Sequence, residues 1–428
     1  MFLERQNLTM LNDCAIFLLR NRKIAQYSYC MDIKTGPPVT GNNFYPRPLL
    51  IKRIHQRIRR GHLAFLGPRR TGKTSILNEI FSSPPEGFVP VLLNLEKHDI
   101  VAGWLEAMVR AIRVALNKPE PKLAWIKSKG KEFLNRMASI KFPVGEIELN
   151  APMADHAWRL VADDLQALLN ESGAPLLFLL DEFPVFLNLV AGKSSREEVE
   201  AVLNWFRALR TEPNVSFRFL VTGSIGLKAV VRRLGLAPSI NDFDTLEIPP
   251  LEESEALELV CCLAKDNAIV LSKKNPGQIL RLLGANWPIL IQLFVSEIQD
   301  ANFRTPPTAL QLTGLYQSRL VNDGRSNEYC SGMFTRLKVV FTASECRLAR
   351  EILKQLCASA RGLSREEFET IHARLIPDAA QRSLQDDDLE NVIEVLKHDG
   401  YVLRENEGEC RTRFASNILR DYWRFKTT

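Results

Sequence analysis

His62-Leu-Ala-Phe-Leu66-Gly67-Pro68-Arg69-Arg70-Thr71-Gly72-Lys73-Thr74-Ser75 joins a short apolar run, of the kind that forms a buried strand, to a helical pattern over Ser75–Phe81. Residues 67–74 have the spacing Gly-x-x-x-x-Gly-Lys-Ser/Thr, and the strand before and helix after are the context that spacing needs. Glycine at 67 and 72 lets the backbone curl so that successive amide hydrogens point at one set of phosphate oxygens. The helix that starts near Gly72 adds its positive N-terminal end. Lys73 is expected to reach the β- and γ-phosphates of a bound ATP. Thr74 is expected to place its hydroxyl on Mg²⁺, with phosphates and water completing an octahedron. Gly67, Pro68, Thr71, Gly72 and Ser75 complete the cradle, while Arg69 and Arg70 point outward to meet a partner or the nucleotide.

A second apolar run, Pro175-Leu-Leu-Phe-Leu-Leu180, ends in Asp181-Glu182. Two carboxylates at the C-terminal end of such a strand lie where ligands bind in open parallel sheets. Asp181 is assigned to magnesium, and Glu182 to orienting and polarising the attacking water; the plainer alternative is a helix N-cap. A third run, Phe217–Val221, leads into Thr222-Gly-Ser224-Ile-Gly226. Thr222 and Ser224 are candidates to sense the γ-phosphate, and Ser224 is equally suited to cap the helix expected over Gly226–Leu234. On that helix Arg232 and Arg233 are candidate charge stabilisers, in cis or across a subunit boundary, against the alternative of a solvated helix face.

Working outward, helical spacing marks Leu49–Arg60, Val101–Leu116, Ala157–Leu169 and Glu197–Arg210, and Val89–Leu95 reads as another strand. Strands alternating with helices imply a parallel sheet covered on both faces. Residues 118–152 form an insertion, in which Ile140–Leu149 suits a hairpin. After Pro249-Pro250 the pattern turns helical: Leu251–Ala264, Pro276–Leu283 and Pro288–Ile298. Beyond Thr305 more helices follow, with short strand candidates at Tyr401–Arg404 and Arg411–Phe414 around a turn at Glu405–Glu409, an order that suits a small winged-helix domain. The expected division is an N-terminal extension (1–41), an α/β domain (42–250), a helical lid (251–304) and a winged-helix-like domain (305–428). Met31–Phe44 is more coherent than the first thirty residues, which are either dispensable or an extra packed helix.

At 428 residues the chain suits two or three domains. Its 46% hydrophobic and 25% charged residues are those of a globular protein rather than a disordered or fibrous one. A net charge of +6 permits contact with nucleic acid without requiring it. The eight cysteines include no Cys-x-x-Cys pair and the six histidines show no ligand spacing beside them, which fits reduced thiols in a cytoplasm. No apolar run approaches the ~20 residues of a membrane span, and Arg20, Arg22 and Lys23 follow the patch Ala15–Leu19 instead of preceding it, so neither a signal peptide nor a membrane anchor is expected.

Asn43-Phe44-Tyr45-Pro46-Arg47, Gly67–Ser75, Leu180-Asp-Glu-Phe-Pro184, Thr222–Gly226 and Asn286-Trp287-Pro288 together resemble the archaeal-ATPase-like branch of the STAND and AAA+ P-loop ATPases, over about Asn42 to Ile298. The resemblance implies a three-layer P-loop α/β fold with an additional strand between those carrying Lys73 and Asp181, for which Phe217–Val221 is the candidate. It also implies that Phe44 and Pro288 lie near the adenine. Pro46 stands where the family has a glycine, and Asn286-Trp287-Pro288, with Gly284 just upstream, stands for its Gly-x-Pro. The C-terminal segment Arg411–Phe425 looks like the family's closing segment. From the resemblance follow an ATP-hydrolysing switch acting on a protein partner or through self-assembly in the ATP state, and, as the alternative, a DNA-binding ATPase of initiator or transposition-helper type. Charges in the terminal region roughly balance, Arg being mixed with Asp386–Asp388, Glu405, Glu407 and Glu409, which lowers the second reading.

Overall fold

The computed structural model describes residues 31–116, 132, 135, 157–224, 226–322, 327–378, 386–404 and 410–427. The hairpin expected over 140–149, the first thirty residues and the turn at 405–409 lie outside the described residues.

Five strands form one parallel sheet: β1 (Leu63–Leu66), β2 (Val89–Asn94), β3 (Leu176–Asp181), β4 (Arg218–Thr222) and β5 (Asp244–Glu247), in the spatial order β2-β3-β4-β1-β5. The strand expected between those of the phosphate loop and the acidic pair is β4. Every residue of β3 is buried, as an unbroken Leu/Phe run demands when helices cover both faces. β2 lies at the edge and carries Pro90, whose missing N–H is tolerated there. The far edge, β5, was not anticipated. Its Asp-Thr-Leu-Glu sequence is mostly exposed and lacks both an apolar run and alternation.

One face is covered by α1 (Pro48–Arg60) and α2 (Lys73–Ser82), whose Leu50, Ile54, Ile58, Ile76, Leu77 and Ile80 meet Leu63, Phe65, Leu177, Leu179 and Leu220. The opposite face is covered by α3 (Val101–Leu116), α4 (Ala157–Ser172), α5 (Phe183–Lys193), α6 (Arg196–Thr211) and α7 (Leu227–Arg233). Alternate strand residues point to opposite faces, so Phe178, Leu180, Phe219 and Val221 belong to this second core. Helix α5 starts at Phe183, directly after the acidic pair. Pro184 stands in the first turn, where its missing N–H has no intrahelical partner to lose.

The remainder is helical. The segment expected as the lid comprises α8 (Glu253–Asp266), α9 (Asn275–Leu283) and α10 (Pro288–Asp300) and leads to α11 (Ala309–Leu315), α12 (Glu328–Val340), α13 (Ala343–Ala358), α14 (Arg365–Leu375), α15 (Asp386–His398) and α16 (Asn417–Thr427). Between α15 and α16, β6 (Val402–Arg404) and β7 (Thr412–Phe414) pair antiparallel. Thr308, Thr342 and Ser364 start α11, α13 and α14 through reciprocal capping boxes. Lid and C-terminal helices share one apolar core, from Leu251 to Trp423. Gly284 ends α9 with φ +67, and a Cβ there would lie 2.4 Å from Asn417 of α16, so this glycine permits the two helices to touch. Among the described residues no helix is long and apolar enough to cross a membrane.

At the start of β1, buried His62 has its protonation fixed by the fold. The Phe219 N–H donates to Nδ1 (3.0 Å), so Nε2 carries the proton and donates to the Arg210 carbonyl (3.1 Å). Burial, then the charges of Arg210 and Arg218, push His62 down to about 4. In the unfolded chain a histidine titrates near 6.5. The unfolded state therefore gains a proton first as pH falls, and stability is lost progressively from about pH 6.5 toward about 4. The loss from this one group should reach about 2 kcal/mol by pH 5. Urea unfolding at pH 7 and pH 5 should show it, with a smaller pH effect in His62→Gln; equal effects in both proteins would assign the acid sensitivity elsewhere.

Candidate nucleotide-binding site

The parallel register brings the C-terminal ends of β1, β3 and β4 side by side, so the loop after Leu66, the Asp181–Glu182 pair and Thr222 meet at one edge of the sheet. Gly67 has φ +151, and a Cβ on it would lie 2.2 Å from Ile248 Cγ2, so the loop can turn here only with glycine. Gly72 has φ +95 with open space around it; its requirement is conformational alone. Arg70 is also left-handed (φ 58), a cost of about 1 kcal/mol or more that the surrounding loop must hold. Thr71 Oγ1 donates to the Pro68 carbonyl at 2.7 Å and ties the loop across itself.

Lys73, 5% exposed, donates through Nζ to the carbonyls of Gly67 (2.7 Å) and Pro68 (2.5 Å). Burial pushes its ammonium down to about 8, while Glu182, Asp181 and Asp399 favour the charged form and Arg336 opposes it. Thr74 Oγ1 donates to Asp181 Oδ2 at 2.7 Å, and the fully buried Thr222 hydroxyl donates to Asp181 Oδ1. Asp181 is thus gripped from two sides, by the phosphate-loop helix and by β4. Glu182 stands at the N-cap of α5 with φ 58 but makes no cap bond. Its Oε2 accepts from both the backbone N–H and the hydroxyl of Ser224, each at 2.9 Å.

A cavity of about 290 Å³ is lined on one side by Arg69–Ile76, Glu182 and Ser224, and Asp181 is joined to it through Thr74. Lys34, Gly36–Val39, Phe44 and Tyr45 form a second wall, and Leu259, Pro288, Ile289 and Gln292 of the lid a third. Phe44 and Pro288 thus both line the cavity. The Val39 N–H donates to Ser75 Oγ (3.0 Å) and the Lys34 N–H to Gln292 Oε1 (2.6 Å), so the N-terminal segment spans from phosphate-loop helix to lid. Arg47, in the place after Pro46, donates to the Pro249 and Pro250 carbonyls where the sheet domain passes into the lid.

Arg232 and Arg233 are not brought to this cavity. Arg232 pairs with Glu394 (2.9 Å) and donates to Asn391 of α15, and Arg233 donates to the Val340 carbonyl at the end of α12. Two residues not singled out from the sequence do approach it. Arg336 of α12 donates to the Ser224 carbonyl (2.8 Å) and pairs with Asp399, just after α15 (3.3 Å). Neither stands in a motif. The Gly36-Pro37-Pro38 wall had a visible signal, because consecutive prolines enforce an extended chain.

No protein-family profile matches the sequence, and no curated protein matches it. Among solved structures, the Walker-type ATPase PABY2304 of Pyrococcus abyssi superposes with a TM-score of 0.57 at 14% identity, covering 92% of this chain and 99% of that one. The chain has the fold of a P-loop ATPase. The superposition takes in much of the C-terminal region as well as the sheet, since it covers 92% of this chain. The ORC2 protein of Aeropyrum pernix, in its ADPNP–ADP complexes, gives a TM-score of 0.46 at 13% identity over 88% of this chain and 93% of its own. The RuvB Holliday junction branch migration motor of Thermotoga maritima gives 0.39 at 13% identity over 87% and 94%.

Proposed function

We propose that this chain binds MgATP and hydrolyses it as a switch of the AAA+ and STAND kind, passing nucleotide state to a partner through its lid and C-terminal region. The observation that carries this reading is the convergence of Lys73, Thr74 and Glu182 on one cavity that the lid also walls, with Asp181 hydrogen-bonded to Thr74. Lys73 and the amides of residues 67–75 would hold the phosphates, with Arg69 and Arg70 at the rim, and Phe44 and Pro288 would enclose the adenine. The adjacent oxygens of Thr74 and Asp181 suit a hard cation that takes oxygen ligands. Magnesium there would offset negative charge on the phosphates. Glu182 would accept a proton from water, and Ser224 would report the γ-phosphate to it. Thr222 would act from behind, through Asp181.

The four segments 1–41, 42–250, 251–304 and 305–428 would serve as extension, motor, lid and winged-helix-like lever, working on a protein partner or a second copy in the cytoplasm. Arg232 and Arg233, with the partners they have, would anchor the lever to the motor. The expected result of hydrogen exchange is a difference between MgADP and a non-hydrolysable MgATP analogue along α12 and α15. Identical exchange in both states would leave a nucleotide-binding protein without a switch. Duplex DNA should bind weakly and lose affinity steeply with salt; a tight, sequence-selective complex at physiological salt would favour the initiator reading.

A further inference from the structure

The C-terminal region touches the candidate site at backbone distance. Gly400 has φ +79, and a Cβ on it would lie 2.7 Å from Pro68 Cγ, so the segment after α15 rests directly on the phosphate loop. A Cβ on Gly226 would lie 3.2 Å from His398 of α15, which closes the other side of the seat. Within it lies a buried ion pair: Asp399 is 2% exposed and the Arg336 side chain 11%. Asp399 Oδ1 has no hydrogen-bond partner among the described residues. Burial pushes the Asp399 carboxyl up to about 6, against Arg336, Lys73 and Arg69, which draw it down. A buried pair of this sort is weak evidence for stability, because desolvation offsets most of its attraction. What it does secure is direction. The guanidinium is planar and its donors form a rigid fork, so the Nε contact with Asp399 aims Nη2 at the Ser224 carbonyl. Ser224 in turn holds Glu182 by two hydrogen bonds.

We infer that Arg336, oriented by Asp399, is a positioning residue for Glu182: seated on the motor, the C-terminal region fixes the Ser224 segment and through it the carboxylate that faces the attacking water. This rests on the reading of Glu182 as the water-activating group. It makes hydrolysis conditional on the C-terminal region being in place.

Arg336→Gln alone would leave Asp399 buried without its partner and risks unfolding, so the decisive protein is Arg336→Gln/Asp399→Asn, which removes both charges. Its kcat should fall about 10- to 100-fold, the scale of a slightly misplaced reacting group, while MgATP affinity stays within about twofold of wild type. Ser224→Ala should lower kcat in the same sense. In a Glu182→Gln background the paired substitution should add less than about a twofold further loss, because groups acting through one residue are not additive. A merely structural pair would keep its full effect in that background. Wild-type or raised turnover in the paired variant, beside an inactive Glu182→Gln protein, would overturn the inference and leave the reading of the site standing. Wild-type turnover in Glu182→Gln would remove both.

Discussion

Lys73→Ala should lower MgATP affinity by at least about 100-fold, roughly 3 kcal/mol, while the chain stays folded. Lys73 is 5% exposed, and its ammonium bonds two carbonyls of its own loop, those of Gly67 and Pro68. Lys73 itself lines the cavity, so water can take the place of the ammonium once the side chain is cut back. Folding therefore loses little. Binding loses much, because burial has already brought the ammonium to about 8: a partly dehydrated cation gains more from a phosphate oxygen than a hydrated one does. Calorimetric titration with MgATP measures the affinity, and circular dichroism checks the fold. Undiminished affinity in a folded mutant would remove the assignment of residues 67–74 to phosphate.

The parts that were legible before the structure share a physical cause. A parallel strand covered on both faces has to be an unbroken apolar run, so Leu176–Asp181 and Arg218–Thr222 were visible, each to within one residue. The phosphate loop was visible because a backbone curl needs glycine at two fixed places, and Gly67 meets Ile248 closely enough to exclude any other residue. An edge strand carries no such obligation. Asp244–Glu247 is held by pairing with β1 on one side and is mostly exposed elsewhere, so nothing in its residue types announces it. Phe183–Lys193 was obscured by Pro184, which stops a helix from inside but starts one from its first turn.

Arg336 and Asp399 were hidden for a different reason. The contact of Arg336 with Ser224 joins residues 112 positions apart, and neither periodicity nor a motif carries information over such a span. The same holds for Arg232 and Arg233, which sit in the last turn of a helix where basic residues are commonplace; the structure turns them toward Glu394, Asn391 and Val340. Close spacing along the chain indicated which groups gather at the cavity. Which distant groups reach the first ones depended on how the C-terminal helices seat against the sheet domain.

Glu182→Gln should retain MgATP and cut its hydrolysis by roughly 10²–10⁴-fold, the usual contribution of a positioned acid or base. The two contacts that place this side chain are both donations from Ser224 to one oxygen, Oε2. A glutamine carbonyl oxygen accepts both equally well, so the substituted side chain keeps its position. The left-handed backbone at 182 (φ 58) is held by the junction of β3 with α5 and does not depend on the carboxylate. What disappears is the capacity to take a proton from water, since an amide is not a base at neutral pH. Thr74 and Asp181 remain hydrogen-bonded to each other, so the oxygens assigned to magnesium are undisturbed and the γ-phosphate should stay intact on the protein. Rapid-quench analysis of pre-bound ATP separates this chemical step from product release. Cleavage at the wild-type rate in the purified variant would show that Glu182 is not the group that activates water, and the switch would need another trigger.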